Sequence, residues 1–97
     1  MANPSHTIAI LAYNNHELTL KNIQHLINNG YKENILLFDN GSNPSFEKDA
    51  YKFGIRYQRE SNNIFVNPAW NIIFYQENCG FLTLLNNDCF ILSPNYF

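Results

Sequence analysis

Three polar clusters carry whatever chemistry this sequence can do. Tyr13-Asn14 sets an aromatic ring beside an amide. Asp39-Asn40-Gly41-Ser42 sets a carboxylate in a turn. Asn86-Asn87-Asp88 ends on a second carboxylate. No G-x-G-x-x-G follows the first apolar run, and no G-x-x-x-x-G-K-[ST] occurs anywhere, so a phosphate cradle of backbone amides is not expected. A diphosphate bound here would need another source of positive charge. A divalent cation, Mn2+ or Mg2+, held by a carboxylate is the usual substitute, and Asp88 is the best placed carboxylate for it.

Taken singly, each cluster has a plainer reading. Tyr13 could be a packed aromatic, Asp39 a turn-forming aspartate before Asn-Gly, and Asn86-Asn87-Asp88 a β-turn. The three histidines show no ligand spacing; His16 and His25 read as surface helix residues. Cys79 and Cys89 form neither a C-x-x-C pair nor a zinc pattern.

What joins the clusters is the order of elements. Thr7–Tyr13 is a short apolar run rich in β-formers. Asn34–Asp39 is nearly all apolar, as a strand covered on both faces would be. Ile55–Gln58 reads as a third strand and Gly80–Leu85 as a fourth, with Cys89–Leu92 as a further extended piece. Between them, Leu20, Ile23, Leu26 and Ile27 recur at helical spacing, with either Asn14 or Asn15 as the cap, Glu17 three after Asn14 resembling a capping box, and Asn29-Gly30 as a left-handed stop. Phe46 to Phe53 suggests a short helix ended by Gly54. Asn67-Pro68 reads as an N-cap with proline in the first turn of a third helix, whose apolar face is Ala69, Trp70, Ile73 and Phe74.

Strands alternating with helices predict an α/β fold: a Rossmann-like parallel sheet of about four strands flanked by helices, in one domain spanning residues 1–97. Ligands of such sheets bind outside the carboxyl ends of the strands. The three polar clusters all fall at that edge, which shifts the balance from turns toward a site.

The composition fits this class. Of 97 residues, 45% are hydrophobic and only 14% charged, with six tyrosines and eight phenylalanines, a composition that folds. The formal net charge of −2 leaves no basic footprint for nucleic acid. No apolar run approaches the roughly 18 residues of a membrane helix, and Ile8–Ala12 is too short for a signal peptide. The expected location is the cytoplasm, including the inner face of a membrane.

Ile8–Asn14 followed by a helix, then Leu37-Phe38-Asp39-Asn40-Gly41-Ser42, then Leu84-Leu85-Asn86-Asn87-Asp88, resembles the family 2 glycosyltransferases of the GT-A fold, over residues 7 to 93. Asn71, after Ala69-Trp70, resembles the family's asparagine near the start of the third helix. The resemblance implies a metal-dependent enzyme of the hexosyltransferase class. It would take a sugar from a nucleotide-diphosphate donor, a UDP-sugar, and pass it to a saccharide or to a lipid- or protein-linked acceptor.

The implied donor-binding residues are Tyr13, Asn14, Asp39, Asn40, Asn71 and Asn86. In this scheme Tyr13 stacks on the base, Asp39 accepts from the uracil imide N–H, Asn86 contacts ribose or water, and Asp88 binds the metal. Two departures accompany it. The family's glycine-rich stretch before the third helix is replaced by Asn63-Ile64-Phe65-Val66, which touches donor preference. Family members also continue well past the position of Phe97. The chain is therefore expected to supply the donor-binding half, with a catalytic base and acceptor wall lying elsewhere and a fourth-strand edge open to self-association.

Three other readings compete. A non-catalytic nucleotide-binding or assembly module would keep the fold without the chemistry. A nucleotidyltransferase-like domain would want Lys or Arg in the first loop, where Tyr13-Asn14-Asn15-His16 has neither. A receiver-like domain phosphorylated on Asp39 would want an acidic pair after the first strand and a late lysine, and has neither.

Overall fold

The apolar runs form the strands expected of them, each within two residues of its sequence boundaries at either end. The structure, a computed structural model, describes residues 6–77 and 81–86. In chain order it contains β1 (His6–Ala12), α1 (His16–Asn28), β2 (Ile35–Asn40), α2 (Glu47–Phe53), β3 (Arg56–Glu60), α3 (Val66–Gln76) and β4 (Phe81–Asn86). A single 3-10 turn, Lys32–Asn34, leads into β2. Asn87, Asp88 and the extended piece expected at Cys89–Leu92 lie outside the described residues.

The strands form one sheet in the order β3-β2-β1-β4, and every pairing is parallel. This α/β arrangement, four parallel strands flanked by three helices, is Rossmann-like. Strand pleating divides the side chains between two cores. Ile8, Ile10, Ala12, Ile35 and Leu37 pack against Ile23 and Leu26 of α1 and Ala50 of α2. Ala9, Leu11, Leu36 and Phe38 pack against Ala69 and Ile73 of α3. β1 and β2 are therefore buried on both faces, which is why they read as unbroken apolar runs.

The helix ends show which sequence signals operate. Tyr31 N–H donates to Leu26 C=O at 3.0 Å and Gly30 N–H to Ile27 C=O at 3.0 Å, with Gly30 at φ 88°. This double bond pattern satisfies the last carbonyls of α1, and Gly30 adopts the left-handed turn without a Cβ clash.

The expected capping box at Asn14 and Glu17 does not form. Asn15 caps α1 in a left-handed conformation without a side-chain bond. The Asn14 side chain is used elsewhere, and Glu17 pairs with Lys21 at 3.3 Å on the exposed helix surface. The start of α3 also differs. Phe65, at φ 68°, is its N-cap, and Asn67 and Pro68 already lie inside the first turn. Proline is tolerated there because its missing N–H would have had no helical acceptor.

β3 runs two residues further than its apolar content suggests. Arg59 and Glu60 pair with Asp39 and Asn40 of β2, and Arg59 is held by a buried carboxylate described below. Among the described residues, no helix is long and apolar enough to cross a membrane.

Candidate functional site

Register brings the ends of the central strands together. Ala12 lies opposite Asp39, and Leu11 opposite Asn86. The segments that follow β1 and β2 therefore leave the sheet side by side, and the backbone of Asn86 at the end of β4 is beside them. Asp39 and Asn40, adjacent in β2, project to opposite faces and organise different loops.

On the α1/α2 face, Asp39 is fully buried. Its Oδ1 accepts from Ser42 N–H at 3.0 Å. Its Oδ2 accepts from Phe46 N–H at 2.9 Å, Tyr57 O–H at 2.7 Å and Arg59 Nη1 at 2.8 Å. Burial alone would raise the carboxyl pKa. The bonds from Phe46, Tyr57 and Ser42 outweigh it and hold the group below the usual carboxylate range. Burial, together with the contact to Asp39, pushes the Tyr57 phenol up to about 12.

Ser42 passes this order to the first loop. Its Oγ accepts from Asn14 N–H at 2.8 Å, and Asn14 Oδ1 accepts from Asn43 N–H at 2.9 Å. Asn14 and Asn15 are thereby fixed at φ 53° and 52°, a left-handed pair that asparagine tolerates better than most residues. His16 stacks on Phe46 with ring centroids 4.1 Å apart, so it packs against the loop rather than lying free on the surface.

On the α3 face, Asn40 is also buried. Its Oδ1 accepts from Ile64 N–H at 3.0 Å, and its Nδ2 donates to Asn63 Oδ1 at 3.0 Å and to Phe65 C=O at 3.2 Å. Phe65 N–H also donates to Asn63 Oδ1, at 2.8 Å. Gly41 lets this loop approach: a Cβ there would lie 2.5 Å from Asn63 N and 2.6 Å from the Asn62 carbonyl carbon.

Between this loop and the end of β1 lies a cleft of about 480 Å³. Tyr13 and Phe65 are its aromatic walls, with Asn40, Asn63 and the first turn of α3 completing it. Tyr13 is 48% exposed and Phe65 72%. Among the described residues, none that lines the cleft is charged.

The structure thus brings Tyr13 and Asn40 to the cleft. Asn14 sits behind it as a loop brace, and Asn71 is exposed on α3 away from the walls. Asp39 is also absent from the walls: its carboxylate is turned into the protein with four donors on it. In this conformation its hydrogen bonds hold the loop that follows β2 and the side chains of Tyr57 and Arg59. Asp88, the expected metal ligand, lies outside the described residues. Among the described residues, no three of His, Cys, Asp or Glu converge as a metal site would require.

The sequence reading missed Asn63 and Phe65, the cleft residues of the β3–α3 loop, and the pair Tyr57 and Arg59 that locks Asp39. The departure at Asn63-Ile64-Phe65-Val66 was the available signal. Comparison of the chain with protein-family models, with curated proteins and with solved structures found no match.

Proposed function

We propose that this chain binds a nucleotide-diphosphate sugar, a UDP-sugar, at the carboxyl edge of its sheet, as the donor-binding part of a metal-dependent glycosyltransferase. The observation that carries the reading is the cleft between Tyr13 and Phe65 at the ends of β1 and β2. Its volume lies in the range of small-molecule sites, and an uncharged slot with two aromatic walls suits a neutral planar base.

In this reading Tyr13 stacks on the base, and Asn40 shapes the far wall. Asp39 and Asn14 keep the Tyr13 loop in place. Asn86, at the end of the neighbouring strand, is assigned to the ribose. Asp88, two residues on, supplies a carboxylate for the divalent cation that offsets the diphosphate charge. Sugar transfer to the acceptor would also draw on a general base, a role assigned to none of the described residues.

The test is a melting-temperature titration with UDP, with and without manganese. Ligand at 100 times its Kd stabilises a folded protein by about 2.7 kcal/mol. In a domain of this size that corresponds to a rise of about 10 °C or more, larger with manganese than without. No shift with millimolar UDP and manganese overturns the proposal.

A further inference from the structure

The orientation of two side-chain amides at the cleft is fixed by backbone donors. A backbone N–H can only donate, so the Asn63 atom facing Phe65 N–H must be its oxygen, and so must the Asn40 atom facing Ile64 N–H. Asn40 then spends both hydrogens of its Nδ2 on Asn63 Oδ1 and Phe65 C=O. Asn63 Oδ1 receives two bonds, while its Nδ2 makes none among the described residues. Asn63 lines the cleft. The slot between Tyr13 and Phe65 therefore holds one anchored amide whose unused group is an NH2, a donor with no acceptor capacity.

The sheet order says which part of a nucleotide meets it. Asn63 belongs to the loop leaving β3, and β3 and β4 lie at opposite ends of the sheet. On the reading proposed above, ribose and diphosphate lead toward β4. The edge of the base remote from the sugar then points toward the β3 side, and in a pyrimidine that edge carries position 4.

We propose that Asn63 is the residue that selects the base: its Nδ2 donates to the O4 carbonyl of uracil and rejects cytosine, whose 4-amino group would set donor against donor. This rests on the nucleotide-binding reading. It assigns the choice of base to a neutral amide on the β3–α3 loop, with Asp39 acting only from behind.

The experiment is Asn63→Asp, with UDP and CDP affinities measured by calorimetry in the presence of manganese. Aspartate keeps an oxygen for Phe65 N–H and Asn40 Nδ2, so the loop bonds survive, while the ligand-facing donor becomes an acceptor. The parent should bind UDP about tenfold or more tightly than CDP, the cost of an unmatched polar pair. N63D should lose that preference or reverse it. A parallel measurement on the parent follows the Asn63 side-chain NH2 resonances during UDP titration; they should shift on binding and shift less with CDP. If the parent binds both nucleotides and N63D leaves their ratio unchanged, or the NH2 resonances do not respond to UDP, the inference is wrong while the nucleotide-binding reading stands. If the parent binds neither nucleotide, that reading fails and this one with it.

Discussion

The two sides of the sheet's carboxyl edge are built from neighbouring residues and differ in kind. On the α1/α2 side, Asp39 gathers two backbone amides, a phenol and a guanidinium into a closed, charged knot. On the α3 side, Asn40 ties one loop with three neutral bonds and leaves an open cleft beside it, uncharged among the described residues. A buried charge is tolerable only when it is paired, and the Asp39 carboxylate has its partners within the protein. The neutral side can hold its loop and still leave Asn63 Nδ2 and two aromatic faces unspent. One side therefore serves as foundation, and the other carries the cleft proposed as the site.

The largest break in this comparison is Asp39→Ala. It strands the amides of Ser42 and Phe46, both in fully buried residues, and an unpaired buried donor costs about 1–3 kcal/mol. Urea unfolding should show a loss of about 3–5 kcal/mol. A loss under about 1 kcal/mol would mean that the knot is not the foundation.

Gly41→Ala attacks the seam between the two sides. The new methyl would meet backbone atoms at 2.5 and 2.6 Å from a residue at φ 78°, so the Asn62-Asn63 segment must move. The left-handed conformation alone costs about 1–2 kcal/mol. Stability should fall by about 2 kcal/mol or more, with UDP binding weakened as well. Unchanged unfolding and unchanged binding would show that the loops are not coupled through Gly41.

Acid titration separates the charged side from the neutral one. The Asp39 carboxyl has a lower pKa folded than unfolded. Its contribution is therefore complete above the unfolded value of about 3.9 and is lost as pH falls below that value through the folded one. Glu77 adds a drop of the same sign, because Arg56 holds it low through bonds of 2.7 and 2.8 Å. Asp39→Asn should flatten the stability profile below about pH 4, and Asn40→Asp should not. Parallel profiles for the parent and Asp39→Asn would contradict the knot.

The smallest effect on stability, and the sharpest on binding, is expected from Tyr13→Ala and Phe65→Ala. Tyr13 is about half exposed and Phe65 largely so, so unfolding free energies should stay within about 0.5–1 kcal/mol of the parent. Loss of base stacking should weaken UDP about tenfold each. A variant that unfolds more easily yet binds as before would reverse the assignment of site and scaffold.

Much of the fold was legible because local patterns and tertiary demands agreed. Thr7–Tyr13 and Asn34–Asp39 are apolar on both faces, and only a covered strand uses such a run. Asn29-Gly30 stops a helix because glycine accepts φ 88°. The capping box at Asn14 failed because a partner 29 residues away, Asn43 N–H, captured the side chain first. The Phe65 cap was illegible because nothing in a phenylalanine announces φ 68°.

The sequence by itself determined the alternation of strands and helices and placed polar residues at the strand ends, since hydrophobic periodicity and turn chemistry act over a few residues. Only the tertiary structure decided that Asp39 faces inward and Asn40 faces the cleft, and that Asn63 presents a donor. Those outcomes depend on Tyr57, Arg59 and the Ile64 and Phe65 backbone, which reach β2 from 18 to 25 residues away. The parity of a strand fixes which neighbours its side chains face, but not what the facing loops will offer them. That is settled when the loops fold against the sheet and every buried polar atom must find a partner.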